Sequence, residues 1–105
     1  MGLQALKPSI REKKRYICFK SQFTTQKDAE NAILSRIKTW IGEKNYSLGR
    51  VHFMSKLYQG NKGIISCNHK EYLDIKTGIT LTKDVEVFYV SGSLKKAKEK
   101  LQEEL

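Results

Sequence analysis

The sequence predicts an α+β sandwich: a four-stranded antiparallel sheet with two helices on one face, a basic arm before it and an extra helix after it. Three observations predict this. Strand-type runs of β-branched and aromatic residues occur at four places. Apolar residues at helical spacing separate the first run from the second and the third from the fourth. The length, 105 residues, accommodates one core and no second.

The first run begins where a cationic lead-in ends. Residues 1–14 form the arm, with Lys7, Arg11, Lys13 and Lys14 in it, and residues 15–105 form the single folded domain. Pro8 has no amide donor and disfavours helix at Lys7, so the arm starts extended. From Arg15 onward, Tyr16, Cys18 and Lys20 alternate with Ile17, Phe19 and Ser21, which is the period of a strand. The arm is thus anchored in the core at one end and able to reach a polyanion at the other.

Thr24 and Thr25 can cap the first helix, with Asp28 favouring the positive end of its dipole. Ala29, Ile33, Ile37, Trp40 and Ile41 recur at helical spacing, with Ala32 beside them. Leu34 lies off that stripe, a candidate for a partner contact. Gly42 supplies a left-handed stop. The second strand carries Val51, Phe53 and Leu57 on one face and His52, Met54 and Lys56 on the other. The cluster from Gln59 to Gly63 turns the chain by a loop longer than the tightest kind. A buried strand follows from Gly63 to Cys67.

Asn68 and Glu71 have the spacing of a capping box for a second helix with Tyr72, Ile75 and Ile79 on its stripe. Gly78 and the nearby threonines weaken that helix. Val85 to Val90 is apolar enough for a central strand, and Ser91-Gly92-Ser93 breaks it. Leu94, Ala97, Leu101 and Leu105 then make the stripe of a final amphipathic helix. Strand, helix, strand, strand, helix, strand is the ferredoxin-like, RRM-like β-α-β-β-α-β order, with the last helix an addition. That fold serves enzymes, metal carriers and RNA binders alike, so function must come from the residues.

Charge narrows the function. The net charge is +9, from 20 Lys and Arg against 11 Asp and Glu, the footprint of a protein that meets a polyanion. No apolar run is long enough to span a bilayer and no segment pairs aromatics with a broad basic face, so a membrane is not the expected partner. The start has no signal-peptide apolar region, which implies a cytoplasmic protein. Cys18 and Cys67 both fall in predicted strands and read as small core residues. His52 and His69 lack metal-ligand spacing, and there is no nucleophile elbow, P-loop or dinucleotide fingerprint. No catalytic residue and no metal ligand is therefore expected.

Two stretches carry binding chemistry. One is the arm, with Arg11, Lys13, Lys14 and Arg15. The other is Ser91, Gly92 and Ser93 ahead of Lys95 and Lys96, where free helix amides, hydroxyls and lysines suit an anion. An ordinary serine cap explains the same pattern, and both readings stay open. The last helix places its lysines early and Glu103 and Glu104 late, against its own dipole. A bound polyanion would offset that cost. The third strand has no aromatic for base stacking, so RNA would be held mainly through its phosphates, leaving an apolar sheet face for a protein partner. Tyr16 packs or stacks, with packing favoured.

Three stretches resemble the archaeal and eukaryotic ribonuclease P protein component 2 (Pop-five) family. They are the opening from Leu6 through Pro8, Arg11 and Tyr16 to Ile17, the strand exit from Gly63 through Cys67 to Tyr72, and the run from Val90 through Gly92 to Ala97. Ser66 departs from the family, which usually has a basic residue there. The resemblance implies a non-catalytic subunit of ribonuclease P, the ribonucleoprotein that removes the 5′ leader from precursor tRNA. It implies a catalytic RNA that uses Mg2+, no cofactor on the protein, and ribonuclease P protein component 3 as partner in a heterotetramer. The RNA-binding residues expected are Arg11, Lys13, Lys14, Arg15, Ser91, Gly92, Lys95 and Lys96. The alternatives are a stand-alone or ribosomal-type RNA-binding protein and, more remotely, an acylphosphatase-like hydrolase. The latter lacks its glycine-rich, arginine-bearing loop here.

Overall fold

The computed structural model describes residues 13–104; Arg11, the rest of the arm before Lys13, and Leu105 lie outside them. The order is β1 (Lys14–Ser21), α1 (Gln26–Gly49), β2 (His52–Phe53), β3 (Lys62–Asn68), α2 (Tyr72–Thr80), β4 (Val85–Ser91) and α3 (Leu94–Glu104). The strands form one antiparallel sheet in the order β2-β3-β1-β4, and the ferredoxin-like reading holds. β1 is central, and its alternating side chains feed two cores, one on each face of the sheet, where the length of the chain suggested one. Ile17 and Phe19 face α1 and α2, where they bury Ile33, Ile37, Ile65, Ile75 and Ile79. Cys18 faces the other way with Ile64, under Ala97 and Leu101 of α3.

The opposite face of the sheet is therefore not left open, as the sequence suggested. α3 lies over it, and the Cys18 thiol donates to the Ala97 carbonyl at 3.6 Å. A bulge helps. Cys18 pairs with Tyr89 but Phe19 pairs with Val87, so Phe88 is the extra residue. A bulge turns two neighbours to one side, and both Phe88 and Tyr89 pack against the α3 core.

Local signals in α1 are partly as expected. Thr25 caps it, accepting from the Asp28 amide at 3.3 Å. Ala29, Ile33 and Ile37 are fully buried, and Ile41 packs on the same core. Trp40, one residue off that every-fourth stripe, is instead 52% exposed. Leu34 is not a free surface leucine; it packs against the core. Gly42 has φ 84° and ψ 160°, outside helical space, so it breaks the helix as expected but does not end it. The chain resumes a helix over residues 43–49 and stops at Arg50, which is left-handed (φ 50°).

The second strand is shorter than expected. After Phe53 the chain coils into a 3-10 turn at Ser55–Leu57. Gln59 and Lys62 then exchange both backbone bonds at 2.8 and 3.0 Å, with Gly60 and Asn61 both at positive φ. That is the tightest two-residue hairpin, not a longer loop. The expected capping box also resolves differently. β3 runs through Asn68, paired with Lys14, so the Asn68 side chain accepts from the Lys70 amide at 3.0 Å as a turn. α2 starts later, with no side-chain cap at Glu71.

Two glycines set how closely elements approach. A Cβ on Gly63 would lie 2.8 Å from the Tyr58 ring and 3.0 Å from the Phe19 ring. Phe19, Phe53 and Tyr58 occupy that space, with centroids 5.7 to 6.3 Å apart. Tyr58 is tied down further, its hydroxyl donating to the Phe23 carbonyl at 2.7 Å and lying 2.8 Å from the Ser21 hydroxyl. On α2, a Cβ on Gly78 would lie 3.1 Å from the Ile37 Cα, so α1 and α2 touch backbone to backbone. Gly63→Val and Gly78→Val should each lower the unfolding free energy by about 1–3 kcal/mol, read from the midpoint of denaturant unfolding at constant slope.

Candidate nucleic-acid interface

The two basic stretches that lie far apart in sequence meet at one end of the sheet. Antiparallel pairing sets Tyr16 opposite Ser91 and Lys14 opposite Asn68. The Lys13 carbonyl accepts from the His69 amide at 2.8 Å, so the last residues of the arm are held against β3. Lys13, Lys14 and Arg15 thus emerge beside the turn from Ser91 to Lys96 and beside His69 and Lys70.

The strand divides this cluster. Successive side chains point to opposite faces, and Lys14 lies on the α3 side while Arg15 lies on the α1/α2 side. The Arg15 guanidinium donates to the Lys14 carbonyl at 3.2 Å, and a Cβ on Gly92 would sit 3.1 Å from it. Gly92 is therefore the residue that lets this guanidinium lie against the turn. Ser91 and Ser93 are used locally: the Ser93 amide donates to Ser91 Oγ at 3.0 Å, and Ser93 Oγ caps α3 by accepting from the Lys96 amide at 3.4 Å. Lys95 and Lys96 are exposed on the first turn of α3. Lys100, further along, is committed to Glu103, Glu104 and the Tyr89 ring.

On the α3 side of the sheet a groove of about 670 Å³ opens where α3 stops covering it. Lys13, Lys14 and Arg50 bring positive charge to its wall, and among the described residues no Asp or Glu lines it. Tyr16, His52 and Ser66 form a row across β1, β3 and β2, since Ser66 is the register partner of both rings. The sequence reading missed this groove. Arg50 stood between two elements, His52 looked like one exposed strand residue, and Ser66 looked like a lost cation. Only strand pairing joins them.

Cys67 borders the groove, but neither cysteine presents a reactive thiolate. Burial pushes the Cys18 thiol up to about 11. Burial, and then the nearby Glu71 carboxylate, push Cys67 up to about 12, against a smaller opposing effect of Arg15. Both are free thiols. Among the described residues no group of three His, Cys, Asp or Glu could hold a metal ion, and no helix is long and apolar enough to cross a membrane.

The chain is similar to two curated proteins named Ribonuclease P protein component 2. That of Methanosarcina mazei is 28% identical, with 97% of this chain and 96% of that protein covered. That of Pyrococcus furiosus is 29% identical, with 92% of this chain and 89% of that protein covered. The resemblance to ribonuclease P protein component 2 holds. No protein-family model matches the chain. Of the three stretches that carried the resemblance, the described parts lie together: the start of β1, the end of β3 and the exit of β4 into α3 border one end of the sheet.

The thiols give a pH signature. A raised folded pKa means that the folded state holds its proton longer, so the stabilisation is complete below the ordinary thiol value of 9.0 and is lost as pH rises through about 11 and 12. Iodoacetamide at pH 8 should leave both cysteines unmodified in the folded protein and label both in denaturant, and the unfolding midpoint should fall above pH 9.

Proposed function

We propose that this chain is a non-catalytic protein subunit of ribonuclease P, acting with a catalytic RNA in removing the 5′ leader from precursor tRNA. The observation that carries the reading is the convergence of three resemblance-bearing stretches on one cationic end of the sheet. Lys13, Lys14, Arg15, Lys95 and Lys96 project from that end over a framework whose strands and helix cap hold their backbones. Cations on a rigid edge neutralise phosphates without ordering long loops, which is how a protein supports a folded RNA. Arg11, outside the described residues, adds a further positive charge to the same stretch of sequence. Ser91 and Gly92 contribute by shaping the turn: Ser91 holds the Ser93 amide, and Gly92 admits the Arg15 guanidinium. The Mg2+ of the reaction belongs to the RNA, and the partner is ribonuclease P protein component 3 in a heterotetramer. The setting is the cytoplasm.

The reading is tested by precursor-tRNA cleavage with a cognate catalytic RNA at moderate magnesium, with and without this chain and its component 3 partner. The wild-type pair should rescue cleavage, and the Lys13→Ala, Lys14→Ala, Arg15→Ala triple variant should not. RNA affinity should also lose salt dependence, by about one unit of log–log slope per removed phosphate contact. RNA binding without any rescue by the wild-type pair would instead make the chain a stand-alone RNA binder.

A further inference from the structure

The groove beside β1 has a feature that phosphate contacts alone would not use. Its floor is Ser66, only 7% exposed, and its hydroxyl is not a sealed, unpartnered group, since no buried side-chain polar atom among the described residues lacks a partner. The hydroxyl can both donate and accept. Its two register partners on the same face are Tyr16 and His52, both ring side chains. Strands about 4.8 Å apart put the two ring-bearing backbones roughly 10 Å from each other, with the short serine between them. Two ring residues on either side of a small polar one frame a slot with a hydroxyl at its base, and the Tyr16 ring is steadied by packing against the α3-side core. Lys13 and Lys14 stand at its rim.

We propose that the Tyr16–Ser66–His52 slot receives one unpaired RNA base edge-on, with its faces against the two rings, its edge on the Ser66 hydroxyl and its flanking phosphates on Lys13 and Lys14. The proposal rests on the RNA-binding reading above and adds to it a site for a splayed-out nucleotide. A base in a continuous duplex is stacked on both faces and cannot enter, whereas a bulged or looped base presents its faces and edge to protein side chains. A hydroxyl that donates or accepts suits any base edge, so the slot reads the unpaired state more than base identity. It also gives a role to a small residue at position 66: a long cationic side chain would fill the space between the rings.

The test uses the full chain and two RNA hairpins with the same stem, one fully paired and one with a single bulged 2-aminopurine. The wild-type protein should bind the bulged hairpin about tenfold more tightly and quench its fluorescence. Ser66→Leu should bring the two affinities together by weakening that for the bulged hairpin about tenfold. His52→Ala, at an exposed position outside both cores, should cut the preference about threefold or more and decides the matter if the Ser66 variant fails to fold. Equal affinity of the wild-type chain for both hairpins, without quenching, would overturn the slot and leave the RNA-binding reading standing. So would a preference that survives both substitutions. Binding to neither hairpin would overturn both.

Discussion

Everything in this molecule hangs on the central position of β1. Its backbone is paired with β3 along one edge and β4 along the other, and its side chains are covered on both faces. Ile17, Cys18 and Phe19 are consecutive and fully buried, which is possible only where each face of the sheet has its own helix layer. Apolar burial is worth about 1.5–3 kcal/mol for a large side chain, so this strand ties the α1/α2 layer to the α3 layer. A strand so constrained cannot slip, because a one-residue shift would exchange the contents of the two cores.

That rigidity is what gives the basic residues their geometry. Lys13, Lys14 and Arg15 stand at the start of a strand whose register is held on both sides, so their backbones have defined positions relative to Gly92, Asn68 and His69. The same pairing sends Lys14 and Arg15 to opposite faces. One end of the sheet thus presents charge on both of its faces.

α3 changes what the sheet can do. A four-stranded sheet with helices on one face commonly offers the other face to a ligand; here Ala97 and Leu101 cover its middle, and the Phe88 bulge widens the apolar bed that receives them. Among the described residues, the corner by β2 and the start of β1 stays open. The lysines on the first turn of α3 border that corner. Their position against the helix dipole costs a few tenths of a kcal/mol, which a phosphate at that helix end would offset.

The strand and helix content, the β-α-β-β-α-β order and the added helix were legible because each rests on local signals: period-two runs around Ile17 and Val87, the Thr25 cap, the stripe of Ala29, Ile33 and Ile37. The basic character of both ends of the interface was legible for the same reason. What escaped were features made by contact between distant segments. Trp40 reads like a core residue by type, but the every-fourth stripe and the break at Gly42 leave it in solvent. Gly78 reads like a weak point in a helix, but it is where α1 and α2 touch. The Tyr16, Ser66 and His52 row has no sequence signature, because its members come from three strands and meet through register alone. Composition and periodicity are local sums along the chain and determined the elements and their charge by themselves. Which side chains share a face, which face is covered and where the groove opens depend on pairing and packing across the fold, and only the tertiary structure decided them.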